Sequence, residues 1–498
     1  MASNRNADAA SAANRFGLGA IPGSIDSLHD PRGALAQQVR VPSPNHVAFA
    51  RLTRSADYLT AEIRYRQDRR ARKQELEAFN NASKNNLGNV AGADAIKTAV
   101  GGFRKEFGDQ LLAEATARWK VALNAPIGFD ERMVRFWSNH FAVSVDKRQA
   151  LLYAAPMERE VIRPQAFGRF QDLLIGVETH PAMLRYLDNV ASIGPDSRFS
   201  ERAAQRVERG GDDVKPKRKL GLNENLAREI LELHTLGVNG CYSQVDVTEL
   251  ARAITGWSLR GPRGDRFGGT TSDASDLTGF VFREVAHEPG ARTILDKRYA
   301  DGGMDQGRRV LADLAMHPAT AKHLSFKLAR HFVADQPSPA LVQRMAVKYM
   351  ETGGDLSVLY LTMLQSDGAW APDARKFRTP DDFLLAALRA LGTGEVQDVR
   401  KVTGLLARLG QPNFMPRSPA GFADTADAWI GPDAVWKRIQ TAEELAARAP
   451  RSLVPAQVAR DALGSRLDAS TAQAIARAES PKQALSLLLA SPQFQWRI

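Results

Sequence analysis

A single cysteine, Cys241, stands among the 498 residues, which excludes an intramolecular disulfide and removes any need for an oxidising compartment. No apolar run reaches the roughly 18 residues that a membrane-crossing helix requires. The start, "MASNRNADAASAANRFGLGAIPG", lacks the apolar stretch and cleavage pattern of a signal peptide, so the expected location is the cytoplasm. Familiar catalytic signatures are missing too. There is no glycine-rich phosphate loop with its lysine, no G-x-G-x-x-G after a strand, no H-E-x-x-H helix and no G-x-S-x-G elbow. Cys241, alone after a turn, reads as a spectator despite its closeness in sequence to His234.

What the chain has in excess is positive charge. Lys and Arg number 67 against 56 Asp and Glu, a net charge of +11. That favours acidic partners, polyanions or anionic membrane surfaces, and speaks to association rather than to fold. The run Arg64, Arg66, Arg69, Arg70, Arg72 and Lys73 concentrates it. With only Tyr65 interleaved, the run lacks the aromatic platform of single-strand binders, so a solvated face is expected and nucleic acid is disfavoured.

Apolar and charged fractions of 44% and 25% are those of a globular protein, and the pattern is mostly α. Residues 55–85 read as a long exposed helix that dissolves from Asn80 into a flexible linker, "NNASKNNLGNVAGADA". In "DERMVRFWSNHFAVS" (130–144), Met133, Phe136, Trp137, His140 and Phe141 share one helical face. Phe136, Trp137 and Phe141 are expected in the core, with His140 hydrogen-bonded at its border. Residues 195–219 read as a polar surface loop. In 278–303, two β-rich runs around Glu288-Pro289-Gly290 predict a β-hairpin, with His287 beside its turn. Three segments, "VETHPAMLRYL", "LAMHPATAKHL" and "LLASPQFQWRI", each place a polar residue and a proline where a helix restarts. His180 and His317 are therefore cap residues rather than ligands.

The expected architecture is a large multi-helical domain with a β-hairpin insertion at about 278–300. It divides into an N-terminal helical arm and linker (1–100), a core carrying a polar site (101–390) and a helical C-terminal part (391–498).

That site is expected in "NENLAREILELHTLG" (223–237). On an α-helix Leu226, Ile230 and Leu233 form the buried stripe, and Asn225, Glu229 and Glu232 form a second, polar one. Arg228, four residues from both Glu224 and Glu232, can bridge them. Gly237 caps the end. A second amphipathic helix follows at once, with Val247, Leu250, Ala251 and Ile254 inward and Asp246, Glu249 and Arg252 off the stripe. The short link makes the two antiparallel neighbours. They enclose a charged pocket or share a solvated edge. Carboxylates with one or two imidazoles suit a divalent metal, but no spacing demands one, and the residues name no cofactor.

Together with "AANRFGLGAIPG", "ERMVRFWSNHF", "HPAMLRYLDN", "KLARHFV" and "LGQPNFMPRSPAGF", the block "GLNENLAREILELHTLGVNGCYSQVDVTELARAITGW" resembles the bacterial family filed as domain of unknown function 1800, in order and over nearly the whole chain. The resemblance implies a mostly helical fold and no established activity. It implies a neighbouring-gene partner with a twin-arginine export signal, which would have to carry this chain if it leaves the cell. The family's hallmark block falls on Asn223, Glu224, Asn225, Arg228, Glu229, Glu232, His234, Gly237, Asp246, Glu249, Arg252 and Trp257. Three functions follow as expectations. The first is a hydrolase or transferase using Glu229, Glu232 and His234, with Asn225, Arg228, Arg252, Trp257 and His140 holding an anionic substrate. The second is a non-catalytic partner of an exported enzyme. The third is a protein that binds polyanions or the cell envelope.

Overall fold

Proline marks where many of the helices begin. In the computed structural model, which describes residues 2–43, 46–83, 103–210, 221–238, 240–261, 269–270 and 278–497, Pro31–Arg40, Pro181–Tyr186, Pro318–Phe332, Pro380–Ala390 and Pro481–Ala490 all open on proline. Its missing N–H would have no partner in that first turn anyway. The residue ahead closes the cap. His180 and His317 each accept, through Nδ1, the N–H two residues on at 3.1 Å, and Ser491 accepts that of Phe494 at 3.3 Å. The faint repeat of the sequence is this one capping device, used three times.

The fold is mostly α-helical, packed around two main apolar interiors. The first draws on residues from Ala12 to Ala374 and holds Phe136, Trp137, Phe141, Leu226, Ile230 and Leu250. The second draws on Leu18, Trp119 and residues between Phe383 and Phe494. Helix Phe103–Asn124 runs from one to the other, with Phe107 in the first and Trp119 in the second. Each large side chain so buried contributes about 2–3 kcal/mol before entropy.

Among the described residues, three small antiparallel sheets complete the fold. Phe280–Arg283 lies between Trp257–Leu259 and Gly269–Thr270, with Ser258 opposite Val281. Arg292–Ile294 pairs with Lys297–Tyr299, and Lys376–Phe377 with Trp496–Arg497. The hairpin within 278–300 therefore turns at Leu295 and Asp296, not at Glu288-Pro289-Gly290. Those two residues take φ of 50° and 60°, the left-handed pair whose twist matches the flanking strands. The earlier β run is drawn away because Trp257–Leu259 offers it a fully buried partner. Pro289 and Gly290 merely join the two sheets.

Two loop expectations change as well. Arg198–Gly210 is a helix, started by Ser197 accepting the Ser200 N–H at 3.3 Å, and its Glu, Arg, Ala and Gln content favours that state. Residues 211–219 lie outside the described residues. Helix Ser55–Ser83 runs past Asn80, and the linker sequence from residue 84 also lies outside them. No described helix is long and apolar enough to cross a membrane.

Candidate functional site

The charged block does not remain an α-helix. After Asn225–Glu229 the chain widens into a π-helical turn, Ile230–Thr235. The extra residue per turn shifts the wheel, so Leu233 moves to a half-buried position while Leu231, His234 and Thr235 face inward. Such π turns recur at functional sites. This one leaves carbonyls that imidazoles claim. His140 Nε2 lies 3.2 Å from the His234 oxygen and His323 Nε2 lies 3.2 Å from that of Leu233.

The expected site residues fall into three places. At a half-exposed edge, Arg228 meets Glu224 at 3.3 Å and Gln244 at 2.8 Å, while Thr248 reaches Glu224 at 2.8 Å. These contacts run in antiparallel order along the two helices. Asn225 is exposed beside them. Glu229 is half-buried, and burial pushes its carboxyl up from the ordinary value, with His234 pulling it back. Glu232 is half-buried, and burial together with its charge pushes the Tyr242 hydroxyl up from the ordinary value. The second place is the interior, where His234 Nδ1 meets Glu178 at 2.7 Å with both side chains fully buried. The third lies under the hairpin. Arg252 meets Glu249 at 2.9 Å and Glu288 at 4.0 Å, and Glu249 also faces Arg292 at 3.6 Å. Leu295 docks the hairpin there by donating its N–H to Asp246 at 2.7 Å. Trp257 is buried in the sheet. Cys241 is exposed, 3.8 Å from His317.

From this block a path leads inward. The His234 carbonyl holds His140, and His140 lines a cavity of about 270 Å³ on the far side of helix Phe129–His140. Arg132 and Arg135 of the same helix, Lys327, Arg330 and His331 of helix Pro318–Phe332, and the start of helix Pro380–Ala390 form its walls, with loop 411–424 across it. Lys327 and His331 stand four residues apart, hence on one helix face. The loop is braced. Asn139 exchanges two hydrogen bonds with the Phe422 backbone at 2.9 and 2.8 Å. Gly421 turns there at φ 81°, where a Cβ would come within 2.4 Å of the Asn139 carbonyl. Phe414, also in the wall, takes φ 52°, a conformation that non-glycine residues hold only under constraint from their surroundings.

Electrostatics distinguish this cavity. Asp381 pairs with Arg135 and, at 3.8 Å, with Arg118. Asp382 pairs with Arg132 at 2.9 Å and Arg497 at 3.6 Å. Yet, among the described residues, Arg132 Nη2 and Arg135 Nε and Nη2 are buried with no acceptor, and His140 Nδ1 and His331 Nε2 are buried with no partner. Buried polar groups are normally satisfied, and this wall gathers several that are not, Asp382 Oδ2 among them, beside others elsewhere in the fold. His331 Nδ1 lies 3.0 Å from Asp424. Burial lowers the imidazole below its ordinary range while Asp424 pulls it up. Burial acts on Asp424 in the opposite sense, yet His331 and Lys376 hold its carboxyl low. Burial brings Lys327 down to about 8, with Asp424 raising and Arg330 lowering it further. His140 is driven well below the ordinary imidazole value by burial, then by Lys327. Among the described residues, no group of three or more His, Cys, Asp and Glu side chains converges as metal ligands.

The family model described as protein of unknown function (DUF1800) matches residues 11–496. The chain belongs to this family. No curated protein and no solved structure matches it. In this DUF1800 member, the segments "ERMVRFWSNHF", "KLARHFV" and "LGQPNFMPRSPAGF" are the ones that wall the cavity. The sequence reading reached only His140 among its lining. The available signal was Lys327, Arg330 and His331 at spacings of three and four on one helix. Asp424, the partner of His331, lies 93 residues from it, which no local pattern reveals.

Proposed function

We propose that this cavity is the catalytic centre of a hydrolase or transferase acting on a small anionic substrate. The observation that carries this reading is the pairing of orphan guanidinium N–H groups, on Arg132 and Arg135, with an imidazole oriented by a carboxylate, His331 with Asp424. The guanidinium donors take the anionic group, for which planar N–H forks are suited. Asp424 accepts from Nδ1–H of His331 and leaves Nε2 as the proton acceptor, the arrangement of a general base held by a third group. Glu178, His234 and the π turn then act from behind by holding His140. Glu229 and Glu232 keep a supporting place on the same block, and Arg228, Asn225, Arg252 and Trp257 shape it.

The test joins binding to turnover. Inorganic phosphate and oxalate are titrated calorimetrically into the native protein, and a panel of small esters, amides and phosphomonoesters is screened for turnover. Binding that survives Arg135→Gln unchanged sinks the assignment. His331→Gln is expected to retain binding and to lower any turnover by about 10²–10⁴-fold.

A second reading has its own observation. Beside helix Ser55–Ser83, two cavities of about 240 and 280 Å³ are lined by Arg66, Arg69, Arg70, Arg148, Arg185 and Arg260 around one buried acid, Glu62. This surface suits a polyanion or the acidic face of an exported partner. Binding to heparin-like or anionic-vesicle surfaces that falls steeply with salt would support it.

A further inference from the structure

Two lysines lie near Asp424, and they differ. Lys376 is tied down, pairing with Asp335 and donating to the Asp424 carbonyl. Lys327 lines the cavity half-buried and makes no hydrogen bond or ion pair among the described residues. Its cationic neighbour, Arg330, is anchored through Nε to the Asp335 carbonyl at 3.2 Å. Burial and the positive charge beside it bring the Lys327 amine down to about 8, so a far larger share of it is neutral and nucleophilic near that pH than of an ordinary lysine. Around it stand guanidinium donors with room for a carboxylate and an imidazole able to relay protons.

We propose that Lys327 is the covalent group of this cavity, forming an imine with the oxo carbon of a small 2-oxo acid whose carboxylate sits on Arg132 and Arg135. This rests on the catalytic reading given above and selects group transfer within it. The Nζ lone pair forms the C–N bond as the carbonyl π pair moves to oxygen. One N–H proton passes through His331 to that oxygen, giving a carbinolamine. The second N–H proton, carried the same way, lets the hydroxyl leave as water while the nitrogen lone pair closes the C=N bond. Amine and ketone become imine and water, with no oxidant or reductant. A cavity of about 270 Å³ lies at the small end of ligand sites and suits an acid of a few carbons.

The experiment incubates the full-length protein with pyruvate and sodium cyanoborohydride near pH 8, digests it and maps the label by mass spectrometry. The expected result is a reductant-dependent adduct on Lys327, at least about tenfold above that on exposed Lys482, since ordinary lysines are almost wholly protonated there. Excess oxalate should suppress it, a control in native protein that needs no variant, and Lys327→Met should abolish it while keeping oxalate binding. An absent adduct, or one spread evenly over surface lysines, overturns the imine. Oxalate binding without an adduct overturns the imine alone. Neither binding nor adduct overturns the cavity reading with it.

Discussion

Arg389 is buried and Arg135 half-buried, and the two arginines sit in opposite circumstances. Arg389, 1% exposed, spends its guanidinium on backbone carbonyls. Nε donates to Gly19, Nη1 to Ala122, Leu123 and Ala125, and Nη2 to Pro126, at 2.7 to 3.1 Å. Every nitrogen has an acceptor. Arg135, with a side chain 9% exposed, gives Nη1 to Asp381 and stacks over Trp119 at 5.7 Å, yet keeps Nε and Nη2 without an acceptor among the described residues. Arg389 has an acceptor for each of its nitrogens, whereas Arg135 has two nitrogens without one among the described residues.

The strongest way to break that contrast is to remove each arginine. Arg389→Met strands five carbonyls where helix Pro380–Ala390 meets residues 17–19 and 122–126, so chemical denaturation should report a loss of about 3–5 kcal/mol. A loss under about 1 kcal/mol would erase the distinction. The two regions also part with pH. Burial lowers His140 and His331, and brings His323 to about 4. In the unfolded chain these imidazoles bind protons near 6.5. The unfolded state therefore binds more protons as pH falls below that value. Stability is fully present above about 6.5 and is lost toward pH 4. His323→Gln should flatten that acid limb in urea titrations, whereas Arg389→Met should leave its shape unchanged. A smaller effect is expected at the cavity itself. Arg135→Gln should weaken oxalate binding by about 10-fold or more, near 1.4 kcal/mol, and lower the melting temperature less than Arg389→Met does. Smallest is Arg228→Ala. Its side chain is 40% exposed, so the variant should lose less than about 1 kcal/mol. A loss of several kcal/mol in melting would restore the charged block to the centre of the protein.

That last variant measures how far the sequence could be read. Helical character, proline starts and the burial of Phe136, Trp137 and Phe141 follow from local periodicity, and the structure has them. The inner stripe of residues 223–237 is a different matter. An α-wheel puts Leu233 inside, and the π turn puts His234 there instead. A one-residue change of register cannot be seen in a pattern that assumes 3.6 residues per turn. The cavity was hidden for another reason. Its walls come from helices 129–140, 318–332 and 380–390 and a loop near residue 420, and only tertiary packing brings them together. Pro and Gly fill the loop, and such a composition gives no sign that it walls a cavity. In the structure those residues permit the tight turn at Gly421 that presses the chain on Asn139.

Arg497 adds a temporal consequence. Its Nη2 donates to the His331 carbonyl at 2.7 Å, 166 residues away, and its guanidinium faces the Asp382 carboxylate. The short strand that positions it pairs with Lys376–Phe377. During synthesis, helices 129–140 and 318–332 leave the ribosome long before this brace exists. Asp382 meanwhile has only part of its positive company. The wall at His331 and Asp382 is therefore braced from the far end of the chain, and it is complete only when the strands at 376–377 and 496–497 have paired.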